Sequence, residues 1–543
     1  MKARRNIMKQ LTELNKNELT VEQKLGLLLC ANLNHGDADV ENALEMIRDH
    51  KLGSVWISHV HPKRDELIAR VREVADYPII IMCDAEQGYA PYNIPGVISL
   101  TAAGANEEYA HSFGRLNATI IANEGYNLVC SPVLDGCLAS APCGGTTRNF
   151  GPDRKIAAKL GAAMARGMHE GGVLACAKHY PSTLKKKPYD THMREGYCED
   201  TREELIENSL YPYRKLIEEN LIDGVMVGHG RYINIDPERP ASLSRTVLNI
   251  LREECDFKGF YITDALNMMG VVLKYGNYTT TPMAVQAGCD IPLSWGIPSK
   301  EAYQTLLDGY RDGIITDEQL DISLDRILET HHKITLLPQN TKILPEDVTN
   351  IGKINRECIS SVCAEGYTPS IDPNGKHLFV IMTDGTVELD RAEYDAFSGK
   401  AYNPPHIAET IKSLFPNSGV VTHPDHPNYN QNMSLFKKQQ LYDDIVYITY
   451  YASACFIGRE CLTPRTIDIM DALQSTDRII AHLHFGNPFV ATDAPFVPRV
   501  LLGWISEGCI DHTLNILAGK AQCLGTQPYA DYLKFHKKGD LLI

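Results

Sequence analysis

Apolar residues in the first two-thirds of the chain come in short unbroken runs rather than in alternation. The runs are GSVWIS (53–58), YPIIIMCDAE (77–86), YNLVCSPVLD (126–135), GVLACAKHYP (172–181), DGVMVGHG (223–230), GFYITDAL (259–266) and GCDIPLS (288–294). Each is apolar nearly throughout, the pattern of parallel strands buried on both faces. LGLLLCANL (25–33) reads either as an eighth strand or as the end of a helix. The stretches between are long enough for crossover helices. DRKIAAKLGAAMARGMHEGG (153–172) is one, with alanines that favour helix and Gly171–Gly172 as its stop. Strand–helix units in this number predict a (β/α)8 TIM-like barrel over residues 1–335.

A looser segment, about 334–356, contains TLLPQNTKILPEDVTN and predicts a linker over 336–356. A second strand–helix pattern follows over 357–543, with runs HLFVIMTD (377–384), DDIVYITYYA (443–452), RIIAHLHFG (478–486) and RVLLGWI (499–505). It predicts a smaller three-layer α/β sandwich. Its Gly375, Gly385 and Gly486 form no G-x-G-x-x-G signature, and no phosphate-binding G-x-x-x-x-G-K-[ST] occurs, so nucleotide binding has little support.

The composition changes this picture only by exclusion. The formal charge is -15, with 44% hydrophobic and 22% charged residues, which argues against a nucleic-acid surface. Early basic residues are followed by no apolar segment before Leu25, and 25–33 is too short to span a bilayer. The expectation is a cytoplasmic protein with no membrane partner. The 15 cysteines are scattered and form no C-x2-C pair, which speaks for neutral thiols rather than a disulfide framework or a zinc site.

The candidate chemistry sits at the C-terminal ends of the strand runs: Asp84 and Glu86, Asp135, Lys178 and His179, His229, and Asp264. On a barrel these ends converge on one rim, where active sites are built. A carboxylate at the end of a buried strand, such as Asp264, is costly unless it is hydrogen-bonded or functional, although it could also cap the next helix. Asp84 could accept hydrogen bonds from a polar ligand, or cap the next element with Glu86. Lys178 and His179 are adjacent, so on a regular strand they point to opposite faces; both reach the rim only where the strand bends, as Pro181 suggests. Asp190 lies two residues before His192, a spacing at which a carboxylate holds one ring nitrogen and leaves the other to move a proton.

Taken in order, these segments resemble glycoside hydrolase family 3, in particular its β-N-acetylhexosaminidase branch. The family's Asp-Gln-Glu-Gly-Gly run stands here as DAEQG, its strand ending in P-V-L-D as NLVCSPVLD, and its R-S-F-G as TRNFGPD. K-H-F-P stands as KHYP, D-S-H as DTH, A-H-V with P-A-[ST]-L-S as GHGRY and RPASLS, and the nucleophile motif as DFKGFYITDAL. The resemblance implies Asp264 as catalytic nucleophile, His192 as acid/base and Asp190 as its orienting partner. It implies Asp84, Arg148, Lys178 and His179 as sugar-binding residues, with His229 as a further strand-end histidine. The implied activity is a retaining exo-β-N-acetylglucosaminidase acting on small glycans, glycopeptides, or cell-wall or chitin fragments through a covalent glycosyl-enzyme. It needs no metal, nucleotide or redox cofactor.

The family's catalytic loop, K-H-F-P-G-H-G-D-T, departs here to KHYPSTLKKKP. Lys185, Lys186 and Lys187 read either as a solvated loop or as a contact for an anionic aglycone. Other readings of the same fold are a β-glucosidase or β-xylosidase and a glycoside phosphorylase, since a histidine acid lacks the negative charge that would repel phosphate. A reading of a different class is a sugar-binding protein without turnover.

Overall fold

The computed structural model describes residues 11–34, 36–89, 92–136, 146–182, 190–383, 402–451 and 461–536. Lys185–Lys187 lie outside the described residues. The strands in chain order are β1 (Cys30–Asn32), β2 (Ser54–Trp56), β3 (Ile80–Cys83), β4 (Leu128–Val129), β5 (Leu174–Tyr180), β6 (Gly196–Cys198), β7 (Gly224–Val227), β8 (Gly230–Tyr232) and β9 (Phe260–Thr263) in the N-terminal part. The second part holds β10 (Ser360–Cys363), β11 (His377–Thr383), β12 (Gly419–Pro424), β13 (Asp444–Tyr451), β14 (Ile479–Gly486) and β15 (Arg499–Gly503).

The first sheet is entirely parallel and runs β1-β2-β3-β4-β5-β7-β9, so the unbroken apolar runs pair in chain order. LGLLLCANL resolves into both of its readings: the helix Val21–Leu27 ends in it and β1 begins in it. The run 288–294 forms no strand and joins β9 through one isolated bridge, Ile262 to Ile291. Just beyond it, Trp295 packs edge-on against Trp56 at the end of β2, ring centroids 5.1 Å apart. The flanks of the sheet therefore curl toward each other. Among the described residues the architecture established is a curled, half-barrel α/β sheet of seven parallel strands. The run 288–294 carries Pro292, which has no N–H to give to a ladder.

The helix Arg154–Gly171 forms as expected. Asp153 caps it by accepting from Lys155 N at 2.8 Å and Ile156 N at 3.3 Å, and Gly172 ends it at φ 101°. It packs very closely on the helix Glu107–Glu124. A Cβ on Gly167 would come within 2.2 Å of His111 O, and one on Gly114 within 2.2 Å of Met164 O. Among the described residues no helix is long and apolar enough to cross a membrane.

The segment expected to be loose is helical over Pro345–Glu357, started by a proline in its first turn. Asp347, with a side chain 1% exposed, takes a fork of hydrogen bonds from Arg115 at 2.8 and 3.0 Å, and Asn350 donates to Ser112 Oγ at 3.0 Å. The linker helix is thereby fixed to Glu107–Glu124. The second sheet has six strands in the order β10-β15-β14-β13-β11-β12, all parallel except β10, which runs antiparallel to β15. It is a mixed sheet with edge strands, β10 and β12, that lie outside the apolar runs.

Candidate active site

Lys178 and His179 both reach the C-terminal rim, because the ladder between β5 and β7 slips there. Lys178 lies opposite Met226 and Tyr180 opposite Val227, so His179 is an extra residue in the strand. Lys178, only 2% exposed, reaches Glu86 Oε1 at 2.5 Å and also bonds Asp84. Arg148 grips Glu86 from the other side with two bonds, Nε to Oε2 at 2.8 Å and an Nη to Oε1 at 2.6 Å. Burial would push the Glu86 carboxyl up, but the charges and hydrogen bonds of Arg148 and Lys178 pull it well below the usual range. Burial works against the Lys178 ammonium too, and Asp84 and Glu86 more than restore it, holding the lysine charged.

The two carboxylates differ in exposure. The Glu86 side chain is 10% exposed and that of Asp84 45%. Glu86 is thus the strut between two cations, and Asp84 is the acceptor turned toward solvent. His179 Nδ1 meets Asp135 Oδ2 at 2.8 Å, and Asp135 also accepts from the His179 backbone N at 3.3 Å. On the loop after β5, His192 Nδ1 lies 2.7 Å from Asp190 Oδ1, and the same oxygen accepts from His192 N at 2.8 Å. The Asp-x-His spacing closes on itself as a small turn that fixes the ring.

Asp264 follows β9 and accepts a hydrogen bond from Ala265 N at 2.8 Å. Burial acts to raise its carboxyl, but His179, His229, His192 and that backbone N–H together bring it below the ordinary value. All three histidines therefore act electrostatically on one carboxylate. The loop of His192 is bound to the segment after Asp264 through the backbone: Gly270 N donates to Thr191 O at 2.9 Å and Met269 N to His192 O at 3.2 Å. His229 differs from the other expected sugar-binding residues. It is buried, with Nδ1 on Ser242 Oγ at 2.8 Å and Nε2 on Ala265 O at 3.0 Å. Since Ala265 O can only accept, Nε2 carries the proton and Nδ1 accepts from the hydroxyl. Burial lowers the His229 pKa, in keeping with this neutral ring. Nε2 thus supports the backbone beside Asp264, and Ser242 fixes the ring from the other side.

Sequence reasoning left three neighbours out of the site set. Glu86 stood in the DAEQG run but read as a cap, and Asp135 was visible at a strand end without a partner to give it a role. His59, three residues beyond β2, feels the charges of Asp84 and Glu86, yet burial lowers its pKa. Extending the GSVWIS run by one residue would have found it.

Residues 20–330 match the family model described as the glycosyl hydrolase family 3 N-terminal domain. The chain belongs to glycoside hydrolase family 3. A β-hexosaminidase of Haemophilus influenzae is 31% identical to this family 3 chain over 242 residues, which are 42% of this chain and 67% of that protein. One from Tolumonas auensis is 27% identical over 281 residues, 49% of this chain and 82% of that one. Among solved structures, a family 3 β-N-acetylglucosaminidase from Paenibacillus sp. has a TM-score of 0.78 at 23% identity, covering 94% of this chain and 98% of that one. A β-glucoside phosphorylase has a TM-score of 0.77 at 20% identity, covering 96% and 98%. The likenesses to solved structures cover nearly the whole chain, so the family 3 fold extends over both sheets.

Proposed function

We propose that this glycoside hydrolase is a retaining β-N-acetylhexosaminidase that removes terminal N-acetylglucosamine from small glycans. The observation that carries the reading is the Asp190–His192 pair held at 2.7 Å on a loop bonded to the segment after Asp264. Asp264 attacks the anomeric carbon, and its lowered pKa keeps it ionised for that attack. His192, oriented by Asp190, gives its proton to the leaving oxygen, then takes one from the water that releases the sugar with retention. Most retaining glycosidases use a carboxylic acid raised in pKa for this step; a histidine titrates near neutrality without such a shift. Asp84 accepts from sugar hydroxyls and Arg148 donates to hydroxyl or acetamide oxygens, Lys178 and Glu86 fix their geometry, and His179 with Asp135 flanks the nucleophile. His229 acts through Ala265 as a positioning residue.

The names of the Haemophilus and Tolumonas relatives support N-acetylhexosamine as the sugar. The same reading takes the curled sheet as a (β/α)8 barrel completed by 288–294, divides the chain into 1–335, 336–356 and 357–543, and assigns it to the cytoplasm. A matched panel of aryl β-glycosides, with and without inorganic phosphate, tests it. The N-acetylglucosaminide should be cleaved fastest and independently of phosphate. Faster cleavage of the glucoside or xyloside, sugar 1-phosphate formed only with phosphate, or saturable binding without turnover would each replace the reading.

A further inference from the structure

The loop that carries Arg148 is held partly from the far end of the chain. Its neighbours Thr146, Asn149 and Phe150 are buried. Two of its bonds come from nearby in sequence: Ile98 N donates to Thr147 O at 3.2 Å, and Thr101 Oγ1 to Phe150 O at 2.8 Å. A third comes from Tyr529, whose hydroxyl donates to Thr146 O at 3.1 Å and lies 3.4 Å from Asn149 Oδ1. That amide oxygen also accepts from Gly151 N at 2.7 Å, so one side chain ties the tyrosine to the turn after Arg148. Among the described residues the Thr146 hydroxyl finds no hydrogen-bond partner, which leaves little redundancy at this residue.

Tyr529 is fully buried, and its ring packs on Phe489 of the second part at a centroid distance of 5.2 Å. The segment leading to it is fixed to both parts of the chain. Gly525 N donates to Ile359 O at 2.9 Å beside β10, and Thr526 N donates to Ala102 O at 2.9 Å on the N-terminal side. A Cβ on Gly151 would stand 3.5 Å from the Pro528 side chain, so the turn after Arg148 and the segment before Tyr529 are in van der Waals contact.

We infer that the C-terminal segment 525–529 seats the Arg148 loop, with Tyr529 as a positioning residue for the sugar-binding half of the site. The inference rests on the proposed role of Arg148 in holding the sugar. Removing the hydroxyl leaves the buried Thr146 carbonyl without that donor, and a small displacement suffices to spoil a two-bond guanidinium fork. The second part of the chain then takes part in recognition without lending a side chain to the substrate.

Tyr529→Phe in the full chain is the test, read in two ways. Hydrogen–deuterium exchange of the peptide spanning 146–151 should quicken by about five-fold, the worth of one ordinary hydrogen bond. KM for an aryl N-acetyl-β-glucosaminide should rise by about the same factor with kcat nearly unchanged, and the effect should vanish in an Arg148→Lys background. Phe489→Leu, which keeps the hydroxyl, should lower Tm while leaving KM alone. Unchanged exchange in Tyr529→Phe overturns the inference. So does a rise in KM that is equal in both Arg148 backgrounds or matched by Phe489→Leu. Should the unaltered enzyme not cleave the glycoside, the proposed function falls, and the exchange measurement decides the seat by itself.

Discussion

Asp264 and Asp290 stand at opposite ends of one pairing, the first just past the end of β9 and the second at the start of the run bridged to it, beside Tyr261. Asp290 is completely buried, and both its oxygens are engaged, by Tyr261 N at 2.7 Å, Ser323 Oγ at 2.7 Å, Arg326 at 3.0 Å and Arg252 at 3.3 Å. Asp264 lies at the rim with a hydrogen bond from its neighbour Ala265 and three histidines acting electrostatically on it. A buried carboxylate saturated by fixed cations and N–H groups is a structural strut, since nothing remains for it to react with. One held by a single backbone N–H and by nearby histidines, as Asp264 is, suits the nucleophile role proposed for it. The number and permanence of the donors separate the two roles, where burial or charge would not.

The contrast can be broken most sharply by Asp264→Asn against Asp290→Asn. The first should lower kcat by about 10^4-fold or more, with Tm nearly kept, as for loss of a covalent nucleophile. The second should cost about 3–5 kcal/mol of stability, seen in denaturant unfolding, while the folded fraction keeps its kcat. Equal losses of stability in both variants would erase the distinction. His192→Ala should lower kcat/KM about 10^2–10^4-fold on substrates with poor leaving groups and much less on activated aryl glycosides, as a linear free-energy series over leaving-group pKa will reveal.

Glu86→Gln sharpens the comparison from the other direction, since Glu86 is a strut inside the site. It should raise KM by about ten-fold or more, the worth of hydrogen bonds to a charged group, with a smaller effect on kcat. The pH dependence separates the regions further. The depressed pKa of Glu86 contributes stability above its ordinary value of 4.5, and that contribution is lost only as pH falls through the lower folded value. His482 and His484, buried on β14 against Thr449, are pushed down to about 3 and about 4 from 6.5. They stay neutral in the fold while the unfolded chain takes up protons. Stability should therefore fall on acidification below about pH 6.5, by roughly 1 kcal/mol for each histidine by pH 5.5. Acid titration followed by denaturant unfolding should show this loss well before that of Glu86, and His482→Gln should reduce it.

The parallel strands were legible because both faces of each are covered, which leaves an unbroken apolar run. The edge strands β10 and β12 were not, since SSVC and GVVTHP are partly exposed and carry polar residues. The chemistry-bearing strand ends were legible as a set, but their partners were not. Nothing in the spacing of Asp84, Glu86, Arg148 and Lys178 indicates which carboxylate is the strut and which faces solvent; burial decides it. His229 illustrates the same limit, because a strand-end histidine looks alike whether its nitrogens face a ligand or a serine and a carbonyl. The contact of Tyr529 with Thr146 spans 383 residues and has no local signal at all.

The slipped register in β5 makes chain length a functional property of that strand. Two neighbouring side chains, Lys178 and His179, reach one rim because an additional residue is accommodated opposite Met226 and Val227. Deleting a single residue there would restore a regular ladder and send one of the two to the opposite face, with every remaining residue type unchanged. In this stretch a gap of one is a more damaging change than most substitutions, and a redesign of the rim must keep the count before it considers the letters.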